Sequence, residues 1–234
     1  MTRTSQLDQV SFLNGHAPYT LAGYARFREI IDSDGAVPAR LKALFASVAA
    51  IDRRYPDLAR RELARGAALG LTVREVTAGM IVLASLRGEG AAIEFAGVVA
   101  DIFASPGAPT AEPAGDVAPG EAEANFRSYF GTIPAPLAQL IRLVPAAADA
   151  YYLMRRGSID ANPISAKEGE LLLLAILAAG YSPMAATHVR GARNAGATDE
   201  EIAEAVLCAV PSAGIAAWMA VGAMLEPVTP EAAP

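Results

Sequence analysis

The same punctuation occurs twice in this chain at a constant offset of 126 residues, a period that constrains the fold more than any single segment does. Gly70 and Gly196 match, as do Thr72 and Thr198, Gly88 and Gly214, and Tyr55 and Tyr181. Between the two stretches lies SPGAPTAEPAGDVAPG, Ser105 to Gly120, where Pro and Gly recur too often for helix or strand. A tandem duplication with a joining linker is the simplest account. The boundaries read as a first, degenerate unit over residues 1–104, a Pro/Gly/Ala-rich linker over 105–122, a second unit over 123–227 and a tail over 228–234.

Within each unit the marks belong to helices. Thr198 followed by Glu201 predicts a capping box, in which hydroxyl and carboxylate satisfy two orphan backbone N–H groups, and Thr72 with Glu75 is its counterpart. Ser182 reads as an N-cap with Pro183 at the first helical position, and Gly196 closes that helix because a residue without a Cβ adopts the left-handed conformation freely. SAKEGELLLLAILAAG, Ser165 to Gly180, is apolar almost all round after its first turn and predicts a buried helix. PARLKALFASVAAI, Pro38 to Ile51, is its partner in the first unit. Ala and Leu dominate, and no stretch alternates β-branched residues as a sheet requires, so the expected fold is all α.

Composition limits the function classes. With 53% hydrophobic and 19% charged residues, 234 residues bury a substantial core. A net charge of −6, with Arg residues scattered among acids, argues against a nucleic-acid surface. Cys208 is the single cysteine and has no disulfide partner in the chain; with no stretch resembling a signal peptide, a cytoplasmic location is expected. Ala205 to Leu225 carries no charge and is long enough to span a bilayer, but Pro211, Ser212 and Gly214 interrupt it and Glu204 and Glu226 flank it. Two consecutive buried helices and no membrane span are expected there.

From His188 the chain reads HVRGARNAGATDEEIAEAVLCAVPSAGIAAWMAVGAML, which resembles the core motif of the gamma-carboxymuconolactone decarboxylases. Upstream, YFGTIPAPLAQLIRLVPAAADAYYLMRRGSI followed by ISAKEGELLLLAILAAG is similar to the lead-in helices of that family, so the likeness covers about Asn125 to Leu225. The resemblance implies two tandem helical repeats of the alkylhydroperoxidase-like fold. The peroxidase branch of that fold carries a Cys-x-x-Cys pair where Tyr181 and Met184 stand here; the first unit has Tyr55 and Leu58 there and Glu62 in place of the histidine. The decarboxylase branch fits better, with one departure: an acidic residue common one turn before the histidine is Met184. Family membership further implies a homo-oligomer, here a trimer of tandem units.

Decarboxylation leaves a carbanion or enolate, so a site must stabilise negative charge and deliver a proton, and a lactone or ketone in the substrate removes the need for a cofactor or metal. His188 is the only histidine within either unit's core and suits that proton transfer. Glu170 would orient the imidazole or act as base, and Tyr181 would donate to an oxyanion, giving His188, Glu170 and Tyr181 as candidate catalytic residues. Met184 and Ala185 share the face of His188 at helical spacing. With Trp218 and Arg156, the latter from the Arg155–Arg156 pair suited to a carboxylate, they form the candidate substrate-binding set. The expected activity is that of a cofactor-independent lyase or isomerase on a small oxo or lactone acid. The alternatives are a non-catalytic ligand-binding or scaffold protein of the same fold and a thiol peroxidase.

Overall fold

The computed structural model describes residues 5–104, 107 and 114–225; most of the expected linker from 105 to 113 and the tail 228–234 lie outside the described residues. Two 3-10 turns, Gln6–Gln9 and Ser11–Leu13, precede thirteen α-helices, and no strand occurs among the described residues. The helices are α1 (Pro18–Ile31), α2 (Ala39–Asp52), α3 (Pro56–Ala68), α4 (Val73–Arg87), α5 (Glu89–Ala100), α6 (Glu121–Phe130), α7 (Ala135–Leu143), α8 (Pro145–Ser158), α9 (Ala166–Ala179), α10 (Ala185–Asn194), α11 (Asp199–Leu207), α12 (Val210–Ala213) and α13 (Ala216–Gly222). The fold is all α, as the composition requires, and α6 starts just inside the expected linker.

The two apolar segments form the centre. α2 is buried from Leu41 through Ile51 and α9 from Gly169 through Ala179, with no exposed stripe on either. A helix apolar on every side must be covered on every side, and α2 and α9 pack on each other while α3, α4, α10 and α11 close around them. One continuous core therefore runs through both expected units. A smaller core, with Phe126 and Tyr152 at its heart, holds α6, α7 and α8 together.

Both predicted capping boxes form: Thr72 accepts from Glu75 N and Thr198 from Glu201 N, and Ser165 with Glu168 makes a third. Gly196 takes φ 85° one residue beyond the C-cap of α10. The start of α10 differs from expectation. Tyr181 adopts φ 52°, the chain turns through Ser182 and Pro183, and the helix begins only at Ala185, with Ser182 Oγ accepting from Met184 N at 3.3 Å. In the first half the left-handed residue is Arg54 (φ 64°), so Tyr181 stands opposite Arg54 and the match with Tyr55 is one residue out of register. The charge-free run divides into the end of α11, the single turn α12 and α13, with Gly214 at φ 71° between the last two. Only Ala217 and Val221 of α13 are buried, fewer than two buried helices would place there. No helix among the described residues is long and apolar enough to cross a membrane.

Charge also ties the halves together. Lys42, buried on α2, donates to Glu204 Oε2 on α11 at 2.9 Å and to Ile30 O at 2.7 Å, and Glu204 also accepts from Ala36 N and Val37 N at 3.0 Å each. Burial raises the Glu204 pKa, but the hydrogen bonds from Val37, Lys42 and Ala36 outweigh it and hold the carboxyl below its ordinary value. Glu204→Ala strands the buried ammonium and is expected to cost about 3 kcal/mol, read as a fall in the urea midpoint. Because the native pKa is depressed, this contribution is present above the ordinary carboxylate range and is lost as the pH falls through the lowered value. Acid unfolding of the unsubstituted chain should therefore be steeper than that of Glu204→Ala.

Candidate active site

His188 lies in the first turn and a half of α10, facing the start of α9, where Glu170 is 2% exposed. His188 Nδ1 is 2.7 Å from Glu170 Oε2. An ionised carboxylate only accepts, so this contact assigns the proton to Nδ1 and leaves Nε2 as the nitrogen able to gain or release one. The approach depends on Gly191, one turn after His188: a Cβ there would lie 2.5 Å from Glu170 Oε1. The glycine of the His-x-x-Gly string thus makes room for the carboxylate on which the histidine rests.

Two residues from other helices complete the cluster. Tyr129, on α6, donates its hydroxyl to Glu170 Oε1 at 2.9 Å and lies 3.5 Å from His188 Nδ1. Burial and the neighbouring Glu170 charge push the Tyr129 pKa up, so the phenol stays protonated and keeps donating. Arg155, buried on α8, stacks its guanidinium over the Tyr129 ring at 3.8 Å and donates from Nη1 to Asn125 at 2.7 Å. Its carboxylate neighbour Asp160 is 3.7 Å away, and its buried Nε has no hydrogen-bond partner.

Cavities lie on both sides of this cluster. His188, Met184, Tyr129, Tyr151 and Arg155 line one of about 60 Å³, closed on its far side by Ser85 and Leu86 of α4. Glu170, Gly191, Asn125 and again Arg155 line a second, more open cleft of about 390 Å³. Arg155 borders both. Among the described residues no three His, Cys, Asp or Glu side chains converge as metal ligands would.

This region is similar to known proteins. The profile of the Carboxymuconolactone decarboxylase family matches residues 145–226, from the first residue of α8 to just beyond α13. Residues 145–226 are a carboxymuconolactone decarboxylase family domain. Over 92% of this chain and 88% of the other, the fold is similar, with a TM-score of 0.61 and 22% identity, to a protein from Burkholderia xenovorans LB400 provisionally named a gamma-carboxymuconolactone decarboxylase subunit. A comparison with curated proteins gave no match.

The carboxymuconolactone decarboxylase domain brings together only part of the set expected from sequence. His188 and Glu170 meet, and Met184, nearly half exposed, borders the His188 cavity. Tyr181 does not: its hydroxyl donates to Ala213 O at 2.6 Å and its ring lies under Arg53, because the left-handed turn swings it away from α10. Ala185 is sealed in the core, and Trp218 packs against the shared core and over Gly222 rather than lining either cavity. Arg156 points the other way from Arg155, to Tyr152 and to Glu121 at 3.9 Å. Consecutive helical residues project about 100° apart, so one of such a pair faces in and the other out. Tyr129, before the family match begins, opens the string likened to the lead-in helices, but no neighbour along the chain marks its hydroxyl as part of the site. Cys208 is fully buried, its thiol pushed up to about 12 by burial, so it lacks the thiolate that peroxidase chemistry needs.

Gly191→Ala should separate Glu170 from His188 with the helices intact. In imidazole nitrogen NMR spectra the parent is expected to show a single Nδ1-protonated tautomer and the variant a mixture; an unchanged spectrum would show that the close approach is not needed.

Proposed function

We propose that this chain is a cofactor-independent lyase or isomerase acting on a small oxo or lactone acid, with His188 as the proton-transfer group. The observation that carries the reading is the 2.7 Å contact between His188 Nδ1 and the buried Glu170 carboxylate, beside a buried arginine that keeps an unused donor. Glu170 is the positioning residue: it fixes the tautomer and stabilises the imidazolium once it forms, while Tyr129 holds the carboxylate's other oxygen. Arg155 binds the substrate's anionic end, in place of the Arg156 expected from sequence. In a decarboxylation the bond to the departing carboxylate breaks, its electron pair enters the adjacent oxo or lactone group as an enolate, and Nε2, having taken up a proton from solvent, gives it to carbon, so that carbon dioxide leaves, one proton is consumed and the imidazole ends neutral. In an isomerisation Nε2 takes a proton from one carbon and gives it to another.

A second reading is a non-catalytic scaffold protein of the same fold, and the 60 Å³ volume beside His188 favours it. That space holds one or two waters, whereas sites for organic ligands usually measure about 300–1,000 Å³. Under the catalytic reading Met184, at the mouth, must swing aside.

Incubation of the chain with a panel of small oxo and lactone acids, followed by mass spectrometry, separates the two. The catalytic reading expects a product lighter by carbon dioxide or an isomer of altered retention; no product from any acid of the panel supports the second reading. His188→Ala should lower kcat/KM by about 10²–10⁴-fold with an unchanged helical spectrum. Glu170→Gln should lower kcat more than it changes KM, and Met184→Ala should lower KM by opening the pocket.

We also read the two halves as tandem copies that assemble as a homotrimer. Helices α1 and α8, both 14 residues, are each joined by seven residues to a further 14-residue helix, α2 or α9. Exposed Leu143, Val144, Ile215 and Met219 supply apolar surface for contacts between chains. Light scattering should give about three times the 24.2 kDa chain mass, and the mass of a single chain would exclude the assembly.

A further inference from the structure

A larger cavity, of about 480 Å³, lies in the first half of the chain, away from His188. Tyr24 and Arg28 of α1, Tyr55 and Leu58 at the start of α3, Leu7 of the first 3-10 turn and Pro211 of α12 line it. Its framework parallels that of the His188 cavity. Tyr24 and Arg28 stand 127 positions before Tyr151 and Arg155, and Pro211 stands 126 after Ser85, so each cavity takes a tyrosine, an arginine and a wall from the opposite half.

The electrostatics differ. Arg28 Nη1 donates to Glu62 at 2.7 Å and its Nη2 to Asp32 at 2.7 Å, and Arg65 joins the same carboxylates at 2.9 and 3.3 Å. Two guanidinium groups face two carboxylates, and the floor carries no net charge. At the rim Arg54 pairs with Glu94 at 2.9 Å and Asp57 with Arg60 at 2.8 Å. An anion entering here meets no uncommitted cation, and a cation no uncommitted carboxylate; either would lose hydration without compensation. The Tyr24 and Tyr55 hydroxyls have no partner among the described residues; the neutral Ser5 and Gln6, which also line the cavity, accept from Leu7 N and Arg61, and Leu7, Leu58 and Pro211 present carbon.

We propose that this cavity is a second binding site, separate from the His188 site, for an uncharged aromatic molecule that a tyrosine hydroxyl can hydrogen-bond. With Glu62 in the place of the histidine and already ion-paired, the cavity binds and does not transform. Its volume falls within the range of organic-ligand sites.

Equilibrium dialysis of the full chain with N-phenyl-1-naphthylamine, and with its sulfonated analogue 8-anilinonaphthalene-1-sulfonate, tests the assignment, since the two share one ring system and differ in charge. The uncharged probe should saturate one site per chain, and the sulfonate should bind that site at least about tenfold more weakly, a difference of about 1.4 kcal/mol. Leu58→Trp, which fills the cavity, should weaken the uncharged probe by about tenfold or more, while Met184→Trp, at the His188 cavity, should leave it unchanged. If Leu58→Trp fails to fold, probe-dependent protection of the Tyr55, Asp57 and Leu58 amides from hydrogen exchange in the unsubstituted chain gives the same answer. No saturable binding, equal affinity for the sulfonate, loss of binding in Met184→Trp, or no protection at Tyr55, Asp57 and Leu58 would overturn the proposal.

Discussion

Two helices with no polar face set the terms for this protein. α2 and α9 are apolar around almost their whole circumference, and neither can be hidden by a single neighbour. Each serves as part of the other's cover, so the halves of the chain cannot separate without exposing both. The buried Lys42 on α2 reinforces this, because its counter-charge Glu204 comes from the other half. A buried ammonium deprived of its partner is costly, which makes the pairing a condition of the fold as well as a contact within it.

The chemistry is placed by the same constraint. Glu170 sits at the polar end of α9, where the helix emerges from the core just far enough to meet α10, and it stays buried because His188 and Tyr129 satisfy its two oxygens. The far wall of the His188 cavity is the end of α4, from the first half. The candidate site therefore draws on both halves, although the family profile matches only residues 145–226.

One scaffold carries two different electrostatic outcomes. At 155 the arginine lies on a tyrosine ring, faces a neutral Asn125 and keeps a donor unused; at 28 it is pinned by two carboxylates. With Asp160 at 3.7 Å the first arrangement is loosely paired and leaves one guanidinium donor unused, whereas the second commits the arginine to two carboxylates. Glutamate at position 62, where the second half has His188, accounts for much of the difference, since a buried carboxylate demands positive charge and both Arg28 and Arg65 reach it.

Features set by neighbours along the chain were legible in the sequence. The threonine caps before α4 and α11, the glycine stop after α10 and the burial of α2 and α9 follow from side chains acting on backbone or solvent within a turn or two, and His188 was marked by the string around it. The tertiary structure decided which faces meet. Helical periodicity placed Ala185 beside His188 but not the core that seals it; of the Arg155–Arg156 pair the sequence reading took Arg156, and packing turned Arg155 inward instead. A single left-handed residue, Tyr181, delayed the start of α10 and removed its own hydroxyl from the site. Tyr129, remote from His188 along the chain, reaches Glu170 because α6 and α8 share a small core of their own. Contacts within a helix are fixed by a rise and rotation that sequence spacing encodes, whereas contacts between helices depend on how whole apolar surfaces fit, which no local spacing records.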